Sequence, residues 1–295
     1  MNAQDKLQYQ ASLKHPDVEE TIDLWFYRPV GFRVAMLGRR LGWTPNHITI
    51  ASIFLGIGCG VLCYPQSLWL NLLGIVLLVM ADVCDSADGQ LARLTQQYSQ
   101  LGRILDGAAG DFWFVSIYVC LALRLTPDWG VWCWVLAIAA GACHSQQSAM
   151  ADIYRQVHLL CVKGRSGSEL DSADAVSAQY AALRFADDPV QKVFLWFYRN
   201  YTRGQERLTP HLQQLRRVRT EVTLFPAWAI DVSRRLMPIA NVLTFNWRAI
   251  TLFVSLMLGL PWLYWVMEHT VFNALCIYRV CRHESICRRL LSKQA

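Results

Sequence analysis

Residues 72–111 read "LLGIVLLVMADVCDSADGQLARLTQQYSQLGRILDGAAGD". An apolar run ends in a segment that gathers Asp85, Asp88, Asp106 and Asp111, although charge beside a lipid core costs several kcal/mol. Asp85 and Asp88 are three residues apart, so on a helix they share one face. Asp106 follows Gly102 at the start of the next apolar stretch. Two antiparallel helices whose carboxylates face one another form an oxygen-rich cage of the kind hard divalent cations such as Mg or Mn accept. A bound cation also answers the cost, because unpaired aspartates there would otherwise have to be neutralised. Gly89 lets a ligand approach the backbone closely, and Ala92 keeps the same face shallow. Arg93, one turn on, is a fixed cation suited to phosphate, and a two-metal cage beside it suits phosphoryl chemistry.

Working outward, the chain has 295 residues, 54% of them hydrophobic, in apolar blocks joined by short polar links. That pattern predicts an all-α, polytopic membrane protein with six spans at about 47–64, 68–84, 104–125, 129–147, 248–266 and 269–280. Residues 17–43 mix apolar residues with Arg28, Arg33, Arg39 and Arg40 at helical spacing, as expected of an amphipathic helix lying on an anionic membrane face. The expected division is 1–45 for the cytosolic N-terminus with that helix, and 46–149 for the first four spans and the acidic motif. Residues 150–247 form a cytosolic or interfacial insert, and 248–295 the last two spans with a basic tail.

The outer links "PQS", "TPDW" and "EHT" carry no Lys or Arg, while the inner ones carry Arg93, Arg103, a rich set between Lys163 and Arg235, and the tail "RHESICRRLLSK". Both termini and the acidic segment are therefore expected to face the cytosol. With no signal peptide at the polar start, the expected location is an integral, multi-pass protein, of the cytoplasmic membrane if bacterial. Trp69, Trp129, Trp132, Trp262, Tyr264 and Trp265 are expected to form an aromatic belt. The net charge of +6 follows from topology, and no nucleic-acid motif accompanies it. Cys59, Cys63, Cys120, Cys133 and Cys143 sit in apolar runs, where small hydrophobic packing is their ordinary role, and zinc-type Cys-x-x-Cys pairs are absent.

The pattern Asp85-x-x-Asp88-Gly89-x-x-Ala92-Arg93, eight residues, Gly102, three residues and Asp106 resembles the signature of the CDP-alcohol phosphatidyltransferase family. The amphipathic helix, six spans and "TPNHIT" at 44–49 resemble it too. The resemblance implies attack by an alcohol hydroxyl on the phosphorus of a CDP-linked donor, most often CDP-diacylglycerol, with release of CMP, in phospholipid biosynthesis. The donor could instead be a CDP-linked polar headgroup with a lipid alcohol as acceptor. The resemblance also implies a Mg or Mn pair held by Asp85, Asp88, Asp106 and a fourth aspartate, and a homodimer in contact with membrane lipids. Asn46, Thr49, Gly89, Ala92, Arg93, Ser99 and Gly102 would then bind the CDP part.

In the family pattern the fourth aspartate, metal ligand and general base, comes four residues after the third. Here that slot is Gly110 and the aspartate is Asp111. A fourth residue lies about 40° round an α-helix from the first, whereas a fifth lies about 140° away. One expectation is a π turn within "GAAGD" that returns Asp111 to the cage as ligand and catalytic base. Alternatively Asp82 replaces the missing charge, Asp106 alone acts as base, or Asp111 only caps a polar pocket and catalysis is lost.

His144, Asp152, Tyr154 and Arg155 follow the fourth span and read either as acceptor-selecting groups or as a membrane-edge anchor and solvated charge. Asn246, Trp247 and Arg248 read as an interfacial anchor or a site. The run "QQLRRVR" at 213–219 fits a face against anionic headgroups. Two other classes compete with an enzyme: a cation transporter, which would place its acids near the midplane, and a catalytically silent relative that binds nucleotide or lipid as a scaffold.

Overall fold

The computed structural model describes residues 3–98, 100–164, 167–219 and 224–292. Its described residues are helical, without strands. The helices are α1 (Ala3–Ser12), α2 (Arg28–Arg40), α3 (Pro45–Cys63), α4 (Leu68–Thr95), α5 (Gln100–Trp129), α6 (Trp132–Lys163), α7 (Ala173–Ala182), α8 (Pro189–Leu208), α9 (Pro210–Val218), α10 (Ala227–Val242), α11 (Phe245–Met257), α12 (Trp262–Met267) and α13 (Asn273–Ser292). They divide into two compact units, one of residues 1–142 with 246–269, the other of residues 143–245 with 270–295.

In the first unit α3 packs against both α4 and α5, and α1 and α2 pack against α4. Thr44 caps α3, with Pro45 in its first turn and the His47 ring accepting the Thr44 N–H at 3.1 Å, which is why "TPNH" starts a helix. Glycines set the crossings. A Cβ added at Gly56 would lie 2.0 Å from the Trp113 ring, and one at Gly60 would lie 2.6 Å from the Ser116 backbone, so α3 and α5 approach at a small-residue contact of the membrane type. Ala35, Ile48, Cys84, Ala87 and Leu91 knit α2, α3 and α4 together.

Among the described residues four helical stretches are long and apolar enough to cross a membrane: Pro45–Cys63, Leu68–Thr95, Leu105–Trp129 and Ala227–Met257. The other two expected spans fall within α6 and around the start of α13 and are not among these four. The fifth expected span, 248–266, begins earlier, since the apolar stretch includes α10. Phe54, Trp69, Val115 and Ile138 are between 59% and 78% exposed, as side chains solvated by lipid would be.

The expected helix over 17–43 runs over residues 21–40 with a π turn inside it. Pro16–Val18 form a 3-10 turn and Asp23–Tyr27 a π turn that runs into α2. Pro29 follows that π turn, and its missing N–H leaves a carbonyl of the preceding turn without its α-helical donor. Arg28 does not face headgroups: it is buried, with Nε donating to Glu19 at 3.0 Å and Nη1 to Ser86 at 3.1 Å. The aromatic belt is corrected in part. Trp69 and Trp132 are exposed, but Trp265 and Tyr264 are buried, the latter stacked on Tyr118 with their hydroxyls 3.3 Å apart.

In the second unit α7 packs on α8, and α9 and α10 pack on α13. Within "KGRSGSELDSADA" a helix begins at Ala173, capped by the Ser172 hydroxyl, which accepts the Ala175 N–H. Asp188 caps α8 in the same way.

Candidate metal centre

The link from α4 to α5 is short. Gln96 ends α4 in the left-handed region, φ 56°, and Gln97 N–H returns to the Ala92 carbonyl at 3.2 Å. Asp88 stands seven residues before the end of α4 and Asp106 six after the start of α5, so an antiparallel pair sets both at about 10 Å from the turn. There one oxygen each of Asp85, Asp88 and Asp106 lies within 4.8 Å of the others. Two oxygens on opposite sides of one Mg, Mn or Ca ion stand about 4–5 Å apart, so the three carboxyls fit a shared divalent cation. Without one, carboxylates this close cannot all ionise.

Asp88 is buried, and the Thr49 hydroxyl of α3 lies 2.5 Å from its Oδ2. Thr49, expected on the CDP side, thus orients an expected metal ligand. Asn46 stands one turn earlier in α3, Gly89 and Ala92 follow Asp88 along α4, and Gly102 lies in the first turn of α5. Ser99 lies outside the described residues. Gly89 leaves room for Arg93, whose Nη1 would be 3.4 Å from a Cβ there. Arg93 Nε donates to the Ser12 carbonyl at 2.6 Å, while its buried Nη2 has no partner among the described residues, so one donor of the fork remains for an oxyanion.

The structure does not bring Asp111 into this group. Helix α5 is α-helical from Gln100 to Trp129 without the expected π turn; π turns occur instead at Asp23–Tyr27 and Glu268–Phe272. Asp111 lies on the exposed stripe with Val115 and Val119, whereas Ala109, Trp113 and Ile117 are buried. A five-residue step on a regular helix has this consequence. Gly110 holds the slot nearer Asp106, and nothing lies within 4 Å of a Cβ built there or at Gly107. Asp82 feels Asp85, Asp23, Arg28 and Glu20 electrostatically, and is likewise outside the group of three. Tyr27 is buried near the same carboxylates, and burial first, then Asp82, Asp23 and Glu20, push its phenol up, so it stays a neutral donor.

Several contributors escaped sequence reasoning. Gln90 Nε2 donates to the Ser12 hydroxyl at 3.3 Å and to the Arg28 carbonyl at 3.2 Å, tying residues 12–28 to the helix of the motif. Lys14 and Arg28 supply positive charge to Asp85 and, with Arg93, to Asp106. The polar spacing of the N-terminus held no sign of this. Asn246 donates to Asp23 at 2.9 Å, and Arg248 pairs with Glu268 at 3.1 Å, both members buried; only Trp247 is exposed like an interfacial anchor.

In the second unit Asp152 accepts from Tyr201, Gln205 and Gln156, and Arg155 donates twice to Asn241. Those two side chains hold helices together. His144 and Tyr154 are buried.

Residues 42–155 match the family model described as CDP-alcohol phosphatidyltransferase. The chain is 31% identical over 103 residues to a protein of Aquifex aeolicus named "Bifunctional IPC transferase and DIPP synthase", which covers 34% of this chain and 22% of that one. It is 39% identical over 59 residues to proteins of Mycobacterium bovis and Mycobacterium tuberculosis named "Putative cardiolipin synthase", covering 20% of this chain and 28% of theirs. The matches thus span between a fifth and a third of these relatives' length.

Proposed function

We propose that this chain transfers a substituted phosphoryl group, such as phosphatidyl, from a CDP-activated donor to an alcohol and releases CMP. The observation that carries this reading is the grouping of Asp85, Asp88 and Asp106 within 4.8 Å, one turn from an arginine with a free donor. The family match over residues 42–155 supports it. A divalent pair, Mg or Mn, held by these carboxyls would polarise the phosphoryl oxygens and steady the leaving CMP. Thr49 keeps Asp88 turned toward its neighbours, and Arg93 offers Nη2 to a phosphate oxygen. As the alcohol oxygen bonds to phosphorus and the bond to the CMP oxygen breaks, the hydroxyl proton passes to a carboxylate. The grouping with Asp85 and Asp88 supports Asp106 as that base. Asp111, the other candidate, is excluded from the role if its amide variant keeps full activity.

The proposal extends to six spans, the four apolar stretches with 129–147 and 269–280, to an interfacial N-terminal helix and to a site on the cytosolic side, of the inner membrane in a bacterium. It also includes CDP-diacylglycerol as donor and a homodimer, both taken from the resemblance. The open space beside Gly107 and Gly110 is the place where an acceptor could approach Asp106.

Purified protein with Mn or Mg, CDP-diacylglycerol and a panel of alcohols is expected to release CMP and yield a new phosphodiester, read by mass; chelation abolishes this and added Mg or Mn restores it. A second reading, a silent relative that binds its ligand without turnover, is favoured by the glycine in the fourth acidic slot. Donor binding without metal-dependent CMP release for any alcohol would select it and overturn the enzyme.

A further inference from the structure

Among the described residues the second unit holds a buried cation without a counter-ion. Arg279 of α13 is 0% exposed, and its Nε, Nη1 and Nη2 all lack hydrogen-bond partners. Its guanidinium lies 4.1 Å above the Tyr154 ring of α6. One turn on, the His283 ring stands 4.6 Å from the same tyrosine, and Phe225 closes over it at 5.6 Å. The Tyr154 hydroxyl and His283 Nε2 are buried and unpartnered as well. Five polar atoms on three side chains that pack against one another are therefore buried with no hydrogen-bond partner among the described residues. The other fully buried arginine among the largest buried side chains, Arg248, has a carboxylate, and Arg28 has one too.

A guanidinium keeps its charge at any pH a protein meets, and stacking on one ring offsets only part of its desolvation. We propose that this face of α6 and α13 binds a phosphate group, with Arg279 donating through its fork, the Tyr154 hydroxyl donating beside it and His283 Nε2–H completing the shell. Nδ1 of His283 faces Cys287 Sγ at 3.7 Å and Glu284 Oε1 at 4.0 Å, so Nε2 is the ring nitrogen left for a ligand. A planar fork with two flanking donors matches three oxygens of a phosphomonoester better than a carboxylate.

His283, Glu284 and Cys287 also come within 4.8 Å of one another, but a cation is disfavoured there. Glu284 already accepts the His211 and Leu212 N–H groups at the start of α9, at 2.7 and 3.3 Å, and Arg279 on the same side would repel it. The phosphate could arrive free in solution or on a lipid headgroup. The site stands whether or not the aspartate centre transfers anything.

The test is thermal unfolding of the purified full chain in phosphate-free detergent buffer, titrated separately with inorganic phosphate, dioctanoyl phosphatidate, dioctanoylglycerol, chloride of equal ionic strength, and zinc. A saturable rise of several degrees with inorganic phosphate supports the site with a soluble source. A rise with phosphatidate alone, and none with dioctanoylglycerol, supports it with a lipid source. Arg279→Met, which replaces the orphan charge with an apolar chain, is expected to unfold at a higher temperature than ligand-free wild type and to lose the response. Tyr154→Phe, which removes only the hydroxyl, is expected to weaken apparent affinity about tenfold. No response to either phosphate, an equal response in Arg279→Met, or a response to zinc alone overturns the proposal.

Discussion

Asp106 is exposed at one side while its carboxyl meets Asp85 and Asp88, so it can hold a cation and still reach an incoming hydroxyl. Asp106→Asn is expected to slow CMP release at least about a hundredfold, whereas Asp111→Asn, on the outward stripe, leaves the rate unchanged. Equal losses in the two variants would return Asp111 to the centre. Gly110→Asp meets no neighbour within 4 Å and sets a carboxylate about 40° from Asp106; the expected result is half-maximal activity at lower Mn concentration. Thr49→Val keeps shape but removes the hydroxyl held 2.5 Å from Asp88. The loss of one hydrogen bond to a charged group, about 2 kcal/mol, should appear as half-maximal activity at a higher metal concentration with the fold retained. An unchanged metal titration would show that Asp88 needs no such support.

Helix α3 is the element on which the centre depends, since it touches both carboxylate-bearing helices. Its close approach to α5 rests on Gly56 and Gly60, where even one methyl group meets the Trp113 ring or the Ser116 backbone. Gly60→Ala is expected to cost about 1–3 kcal/mol by overpacking, more than a flexible partner would demand, because backbone cannot swing aside. Gly107→Ala, in open space on α5, is expected to be neutral or to stabilise by up to about 1 kcal/mol through helix propensity. Unfolding in detergent would order them; a Gly60→Ala as stable as Gly107→Ala would mean that this crossing is loose. The sequence showed "GIGCG" as apolar, but a glycine pattern does not say which neighbour it admits.

For the molecule as a whole, acid is expected to act through the second unit. Burial first, and Arg279 after it, hold His283 down to about 4, against the pull of neighbouring Glu284. Unfolded histidine protonates near 6.5, so between about 6.5 and 4 the unfolded chain binds the extra proton. Stability should then fall as the pH drops through that window, by at most about 3 kcal/mol, and be flat above it. His283→Gln in phosphate-free buffer should remove this component of the melting curve against pH; an identical slope would assign it to another group.

By itself the sequence determined the membrane class, the helical fold, the acidic hairpin and the face shared by Asp85 and Asp88. Those properties follow from hydropathy and from spacing along one helix, which are local. It left open which carboxylate completes the centre; the tertiary structure shows a regular α5 with Asp111 on its exposed stripe. Only the fold decided that Ser12, Lys14 and Arg28 attend the motif, that Arg248 and Glu268 neutralise each other in the interior, and that Arg279 lies without a counter-ion among the described residues. These meetings join residues far apart in the chain, and the approach of packed helices that creates them depends on many contacts at once, which no single stretch of residues encodes.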